Sequence, residues 1–201
     1  KEDNDFEYVP KSILDSYTYL DSLYALPMQV HFNTILINRD LLNELNMDMP
    51  SLDWTTDNYR DFLKAGTNAK YSGTEILWGV DELIAGSMGQ YGYYGFDLDT
   101  KTFHMADSWV DAVNLMVELR SYPGLEAWSL RNTSTDVENS DYAAKFGNSD
   151  LSDNHMAFKM GKILSDPRGT WDMNWLSTDL SFDWILWPWP SDTTVNGEGA
   201  S

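Results

Sequence analysis

The segment between residues 23 and 63 constrains the fold of this 201-residue chain more than any other part of it. Pro27 has no N–H and biases the residue before it toward extended geometry, so no helix can run through this point. Residues 34–37 form a short apolar and β-branched run, which is typical of a strand buried on both faces. Two patterns with helical spacing follow, the first opened by Asn38 and the second by Thr55. The segment therefore predicts an extended stretch, a buried strand and two helices in that order.

Other local patterns add smaller predictions. Asn58 stands where a complete capping box after Thr55 usually has Glu or Gln. Residues 13–20 are apolar and aromatic enough to predict a short helix. Residues 182–186 predict a strand, which we expect in the same sheet as residues 34–37.

Two blocks of sequence carry a resemblance to a known family. In the first, Tyr24 and Pro27 lead to I-N-R-D-L-L at residues 37–42, and then to Pro50 and to Trp-Thr at residues 54–55. This block resembles the extracellular solute-binding proteins of bacterial ABC transporters, in particular the sugar-binding family 1 that includes maltose-binding protein. The family usually has Tyr at the position of Ile37, and Thr before Trp where this chain has Trp before Thr.

The second block lies far downstream, at residues 158–171, with the sequence F-K-M-G-K-I-L-S-D-P-R-G-T-W. It is similar to the family motif F-x-x-G-x-x-A-M-x-x-x-G-x-W. The spacing from Gly161 to Trp171 fits, whereas Leu164 replaces the usual Met. Two blocks in the right order, about a lobe's length apart, support the resemblance better than either block alone.

The resemblance implies an α/β fold: one lobe of a two-lobe type II periplasmic-binding-protein fold, with a mixed sheet flanked by helices. Residues 1–30 would be the tail of the N-terminal lobe and the approach to the first hinge crossing, residues 31–190 the C-terminal lobe, and residues 191–201 a second hinge or linker. The chain would then be the C-terminal lobe without most of the other lobe, and a signal peptide and anchor would lie upstream.

Composition excludes several classes of function. A net charge of −19, with only 13 Lys and Arg, argues against binding nucleic acid or an anionic membrane surface. The absence of cysteine excludes disulfides, thiolate nucleophiles and zinc–thiolate sites. Nine Trp and eleven Tyr are ample for a core, and they leave aromatic faces that could stack on sugar rings.

The sequence gives little support for catalysis. It has no G-x-S-x-G motif, and its candidate bases are His31, His104 and His155. Its carboxylates are so numerous that a glycosidase pair stays open, since such a pair depends on a separation of roughly 5–9.5 Å in the fold. The segment that begins at Asp97 starts like a calcium loop, but Thr102 replaces the required Gly, so a turn is favoured. We expect no metal site and no cofactor.

Four residues are candidates for ligand binding. By the resemblance, His31 falls at a hinge position where relatives place a polar ligand contact, and its imidazole could hydrogen-bond a sugar hydroxyl. Trp171 matches the family's indole that stacks under a sugar ring. Trp78 lies near a family aromatic residue on the cleft side, and Asp81 follows it at helical spacing, where it could accept hydroxyl hydrogen bonds. Each also has a structural alternative: a hinge His bonded to backbone, core Trp residues, and a solvated Asp.

The resemblance implies a protein that is not an enzyme and that captures a carbohydrate between two lobes for delivery to the permease subunits of an ABC transporter in the membrane. It would be a monomer and extracellular, either a cell-surface lipoprotein or periplasmic. Two alternatives remain at this point. One is a carbohydrate-active hydrolase using a carboxylate pair in an aromatic cleft, and the other is a structural surface domain without an open aromatic cleft.

Overall fold

The structure, a computed structural model, describes residues 8–77, 96–97, 99–104, 107–131, 141–148, 155–172, 176 and 178–191. The chain divides into two compact units, Lys1–Phe32 and Asn33–Ser201. In the described part of the chain, no helix combines the length and the apolar character needed to cross a membrane.

The first unit contains a short helix and a small hairpin: α1 (Lys11–Ser16), β1 (Thr18–Tyr19) and β2 (Ser22–Leu23). Leu20 and Asp21 both have positive φ, 47° and 59°, which is the geometry of a two-residue turn between paired strands. Thr18 therefore pairs with Leu23 in antiparallel register. The helix predicted over residues 13–20 is wrong in its second half, because this left-handed turn reverses the chain.

The second unit holds the main sheet and its helices. In chain order these are β3 (Asn33–Asn38), α2 (Arg39–Glu44), α3 (Thr56–Ala65), β4 (Ser72–Thr74), β5 (Phe96–Asp97), β6 (Thr102–Phe103), α4 (Asp107–Ser121), α5 (Asp141–Phe146), α6 (Met156–Lys159), β7 (Ile163–Gly169) and β8 (Trp184–Pro188). Two 3-10 turns, Trp128–Leu130 and Thr170–Asp172, occur among the described residues.

The main sheet has four strands in the order β4-β7-β3-β8. β4 runs parallel to β7, whereas β3 is antiparallel to both of its neighbours, so the sheet is mixed. Thr34 in β3 lies between Arg168 of β7 and Pro188 of β8. The prediction that residues 34–37 and 182–186 contribute strands to one sheet is confirmed, although β8 begins at Trp184 rather than at residue 182.

Helices cover both faces of the central strand, as its uninterrupted apolar run predicted. Ile35 and Ile37 belong to one buried cluster, which includes apolar side chains of α2, α3 and α4. Leu36 points to the opposite face and belongs to a second cluster, with side chains of α5 and α6. Alternate residues of a strand face opposite sides of the sheet. Because both sides are covered here, all three side chains are fully buried.

The helix cap at Thr55 is more complete than the sequence predicted. The Thr55 hydroxyl accepts a hydrogen bond from the Asn58 N–H at 3.2 Å, and the Asn58 side-chain oxygen accepts one from the Thr55 N–H at 3.1 Å. Asn58 thus performs the role that Glu or Gln usually has in a capping box.

We expect Thr55→Ala to lower the free energy of unfolding by about 1 kcal/mol, because it leaves an N–H at the start of α3 without its acceptor. Urea unfolding followed by circular dichroism measures this change. Thr56→Ala, one residue into the helix, is the matched control and should have a smaller effect. Equal losses for the two variants would contradict the cap assignment.

The backbone conformation at position 161 explains why the second sequence block has a glycine there. Gly161 has φ of 70° just after α6, a conformation that favours glycine. Its N–H donates to the Phe158 carbonyl at 2.8 Å, and the Lys162 N–H donates to the Ala157 carbonyl at 3.0 Å. These bonds end the helix and direct the chain into β7.

Candidate functional site

Three strands of the main sheet meet at one end of it. Asn33, at the start of β3, pairs with Gly169 at the end of β7, and the next residue of β3 pairs with Pro188 at the end of β8. The chain therefore enters β3 and leaves β7 and β8 at the same end of the sheet. A pocket of about 180 Å³ lies there, lined by Asn33, Pro167, Arg168, Gly169, Trp171, Asp172 and Trp189.

Trp171 supplies the exposed aromatic surface of this pocket. It lies in the 3-10 turn directly after β7 and remains 55% exposed. A Cβ added at Gly169 would overlap the six-membered ring of the indole, so the ring rests directly against the glycine backbone. Glycine at this position is therefore required for the close approach. The indole is supported by backbone and still presents apolar area outward.

Arg168 forms the polar wall of the pocket and is held by acidic groups. Its side chain is only 2% exposed, and its Nη2 lies 2.5 Å from Oδ2 of the fully buried Asp166. Its Nη1 lies 3.7 Å from Oδ2 of Asp172, whose side chain is 23% exposed. A buried arginine with a carboxylate this close has its charge compensated inside the protein.

The contact between Arg168 and His155 determines the protonation state of that imidazole. Arg168 Nη1 lies 2.7 Å from His155 Nε2, and a guanidinium can only donate. Nε2 must therefore accept, so the proton of the neutral ring is on Nδ1. That atom lies 3.7 Å from Asp166 Oδ2, toward which it can direct its N–H.

A second buried carboxylate lies deeper in the same unit. Glu75 is fully buried, accepts a hydrogen bond from the Phe158 N–H at 2.7 Å, and lies 3.3 Å from Arg131 Nη2. Burial, and then repulsion from Asp166, raise the pKa of Glu75 from 4.5 to about 8. Burial likewise raises the pKa of Asp166 from 3.8 to about 7, although Arg168 opposes the change. Both carboxyl groups thus bind protons more tightly than exposed ones do.

The four predicted binding residues have different outcomes. Trp171 lies in the pocket wall, and its role in binding stays a prediction. His31 belongs to the first unit, where its Nε2 lies 3.2 Å from Oε1 of Gln29, so its part in a shared site also stays a prediction. Trp78 and Asp81 lie outside the described residues.

Four residues of the pocket lining were not predicted from the sequence: Asn33, Arg168, Asp172 and Trp189. Arg168 and Asp172 flank the Gly169–Trp171 motif, so their position beside it could have suggested them. Asn33 and Trp189 are distant in sequence and reach the pocket only through strand pairing. The register of this strand pairing depends on the whole sheet, so local sequence patterns do not reveal it.

The segment that begins like a calcium loop forms a turn. Oδ1 of Asp97 accepts hydrogen bonds from the backbone N–H groups of Asp99, at 2.8 Å, and Thr100, at 3.2 Å. β5 and β6 pair across this turn. Within the described ranges, no group of three or more His, Cys, Asp or Glu side chains could hold a metal ion.

Solved structures with the same fold match nearly the whole chain. The ABC substrate-binding protein Lmo0181 from Listeria monocytogenes, in complex with cycloalternan, matches with a TM-score of 0.69 and 18% identity over 96% of this chain and 45% of that chain. RafE from Streptococcus pneumoniae, in its apo form, matches with a TM-score of 0.66 and 16% identity over 96% of this chain and 47% of that chain. The sugar transporter RHE_PF00321 from Rhizobium etli, in an open conformation, matches with a TM-score of 0.63 and 15% identity over 90% of this chain and 43% of that chain.

These likenesses confirm the predicted fold. A mixed sheet flanked by helices, matching less than half the length of each of these proteins, corresponds to one lobe of a substrate-binding protein. The resemblance deduced from the two sequence blocks is therefore confirmed at the level of the fold. No protein-family model matches the sequence, and neither does any curated protein sequence. At 15–18% identity the likeness shows the fold and does not transfer a ligand.

Proposed function

We propose that this chain is the C-terminal lobe of a carbohydrate-binding component of an ABC transporter. The observation that carries the proposal is the indole of Trp171, which rests on Gly169 and stays exposed at the end of the sheet where β3, β7 and β8 meet. Such an aromatic surface can stack on the C–H face of a sugar ring, while Asn33 and Asp172 can exchange hydrogen bonds with hydroxyls.

The remaining parts of the proposal concern the whole protein. Residues 1–30 and 191–201 would belong to the connections with the other lobe, and residues 31–190 to this one. His31, Trp78 and Asp81 would add ligand contacts. Closure of two lobes around the sugar would be the signal that the membrane permease responds to. The protein would act outside the cytoplasm, as a monomer anchored by lipid or free in the periplasm.

We propose a binding protein rather than an enzyme. Of the proteins that share this fold, Lmo0181 is a substrate-binding protein and RHE_PF00321 is a sugar transporter. Among the described residues that line the pocket, Asp172 is the single carboxylate, so the pocket wall offers no facing pair of the kind a glycosidase uses.

Titration of this chain with monosaccharides and oligosaccharides, followed by NMR of the indole N–H signals, tests the proposal. We expect binding in the millimolar range, where 1 mM corresponds to about 4 kcal/mol, because one lobe covers one side of the ligand. Trp171→Ala should weaken binding at least roughly fivefold, since stacking contributes about 1 kcal/mol or more. Its thermal midpoint should change little, because the indole is more than half exposed.

Trp128→Ala is the matched control, because that indole is also exposed, at 41%, and lies outside the pocket lining. It packs on the guanidinium of Arg131, 4.5 Å from the ring centroid. The sugar affinity of the Trp128→Ala variant should equal that of the unmodified chain. If Trp171→Ala leaves affinity unchanged and instead lowers stability strongly, Trp171 is a structural residue and the site lies elsewhere. Hydrolysis of any glycoside would contradict the assignment as a binding protein.

A further inference from the structure

The charges around the pocket are unevenly distributed. Arg168 is the single cationic side chain among the described residues that line it. Its guanidinium is buried and lies 2.5 Å from the Asp166 carboxylate, which is itself fully buried. A ligand cannot displace Asp166 without leaving a buried carboxylate unpaired, which is costly.

Two described side chains beside Arg168, those of His155 and Asp172, add no positive charge to the wall. His155 accepts from Arg168 at 2.7 Å and is therefore a neutral imidazole. Asp172 places a second carboxylate 3.7 Å from the same guanidinium. Above about pH 7, where the buried Asp166 behind Arg168 is ionised, the charges of Arg168, Asp166 and Asp172 sum to one net negative charge at this wall.

Asp172 is the partly exposed member of this group and shares the pocket lining with Trp171. Its carboxylate can accept hydrogen bonds from sugar hydroxyls, whereas a ligand carboxylate beside it would meet a like charge at low local dielectric. The net charge of the chain, −19, acts in the same direction.

We infer that this pocket takes uncharged sugars and rejects acidic sugars such as uronates, and that Asp172 is the residue that determines this specificity. The inference rests on the proposed function, because it concerns the ligand of that same site. The charge of the sugar, rather than its ring size or linkage, would decide whether it binds.

The test compares glucuronate with glucuronamide, an uncharged analogue of the same shape, and with glucose. Dissociation constants are measured by NMR titration of this chain at low ionic strength and about pH 8, above the pKa of about 7 for Asp166. We expect glucose and glucuronamide to bind with similar constants and glucuronate to bind at least about tenfold more weakly.

Two variants locate the effect, and the measured quantity is the ratio of the glucuronate constant to the glucuronamide constant. Asp172→Asn removes the charge and should bring this ratio close to one. Asn33→Lys places a cation on the exposed first residue of β3, which lines the same pocket, and should lower the ratio about tenfold. Asp183→Asn is the matched control: the same change of charge in an exposed acid paired with Arg39 should leave the ratio unchanged.

The outcomes separate this inference from the proposed function. Equal constants for glucuronate and glucuronamide in the unmodified chain, or tighter binding of glucuronate, would overturn the inference and leave the proposed function standing. A ratio that neither Asp172→Asn nor Asn33→Lys changes would overturn the assignment to Asp172. If none of the sugars binds, the proposed function fails, and this inference fails with it.

Discussion

Replacing Arg168 with methionine is expected to lower the free energy of unfolding by about 3–5 kcal/mol at about pH 8. The guanidinium is 2% exposed and lies 2.5 Å from the fully buried carboxylate of Asp166. Without it, a buried ionised carboxyl group loses its closest counter-charge. Methionine preserves most of the apolar side-chain volume, so the loss reports on charge rather than on a cavity. Urea unfolding followed by circular dichroism measures the change.

Arg39→Met is the matched control for this prediction. Arg39 lies 3.1 Å from Asp183, but both side chains are about half exposed, and pairs of this kind contribute less than about 1 kcal/mol. Adding Asp166→Asn to Arg168→Met should recover part of the stability, because the double variant has no unpaired charge at this position. The loss should also shrink at about pH 5, where Asp166 is protonated. Equal losses for Arg168→Met and Arg39→Met would show that the buried pair is not energetically distinct.

The second large effect concerns pH: the free energy of unfolding should fall by on the order of 4 kcal/mol between about pH 5 and pH 8. Burial raises the pKa of Glu75 from 4.5 to about 8 and that of Asp166 from 3.8 to about 7. In this window the folded chain holds protons that the unfolded chain releases. Their stabilising contribution is therefore complete below about pH 4 and is lost as pH rises through 7 and 8.

Glu75→Gln tests the origin of this dependence, because it removes the titration and keeps the shape of the side chain. The slope of stability against pH should become clearly smaller. Glu44→Gln is the control: hydrogen bonds from Tyr71 and Lys70 lower the pKa of Glu44, so this group is ionised in both states throughout the window. It should leave the slope unchanged. Stability that is flat or rising from pH 5 to pH 8 would mean that Arg131 and Arg168 keep both buried carboxylates ionised.

The local parts of the fold could be predicted from sequence because their causes are local. The central strand was recognisable from an uninterrupted apolar run, and Ile35, Leu36 and Ile37 are all fully buried. The helix starts at Asn38 and Thr55 were recognisable because a cap depends on residues within one turn. A turn was predicted at residues 21–22, but the hairpin that begins one residue earlier was missed, because a leucine such as Leu20 rarely adopts the positive φ that this turn requires.

The buried strand could be predicted from its residues, and the fold class and Trp171 as the candidate aromatic residue from the resemblance of two sequence blocks to a known family. The surroundings of that indole became visible only in the folded chain. Strand register brings Asn33 next to Gly169, and Trp189, just after β8, reaches the same pocket. Folding also buries Asp166 and Glu75 within the same unit, which raises their pKa values. Periodicity and capping act over a few residues, whereas the pocket and the burial of Glu75 depend on groups far apart in the sequence, and no local pattern specifies their distance.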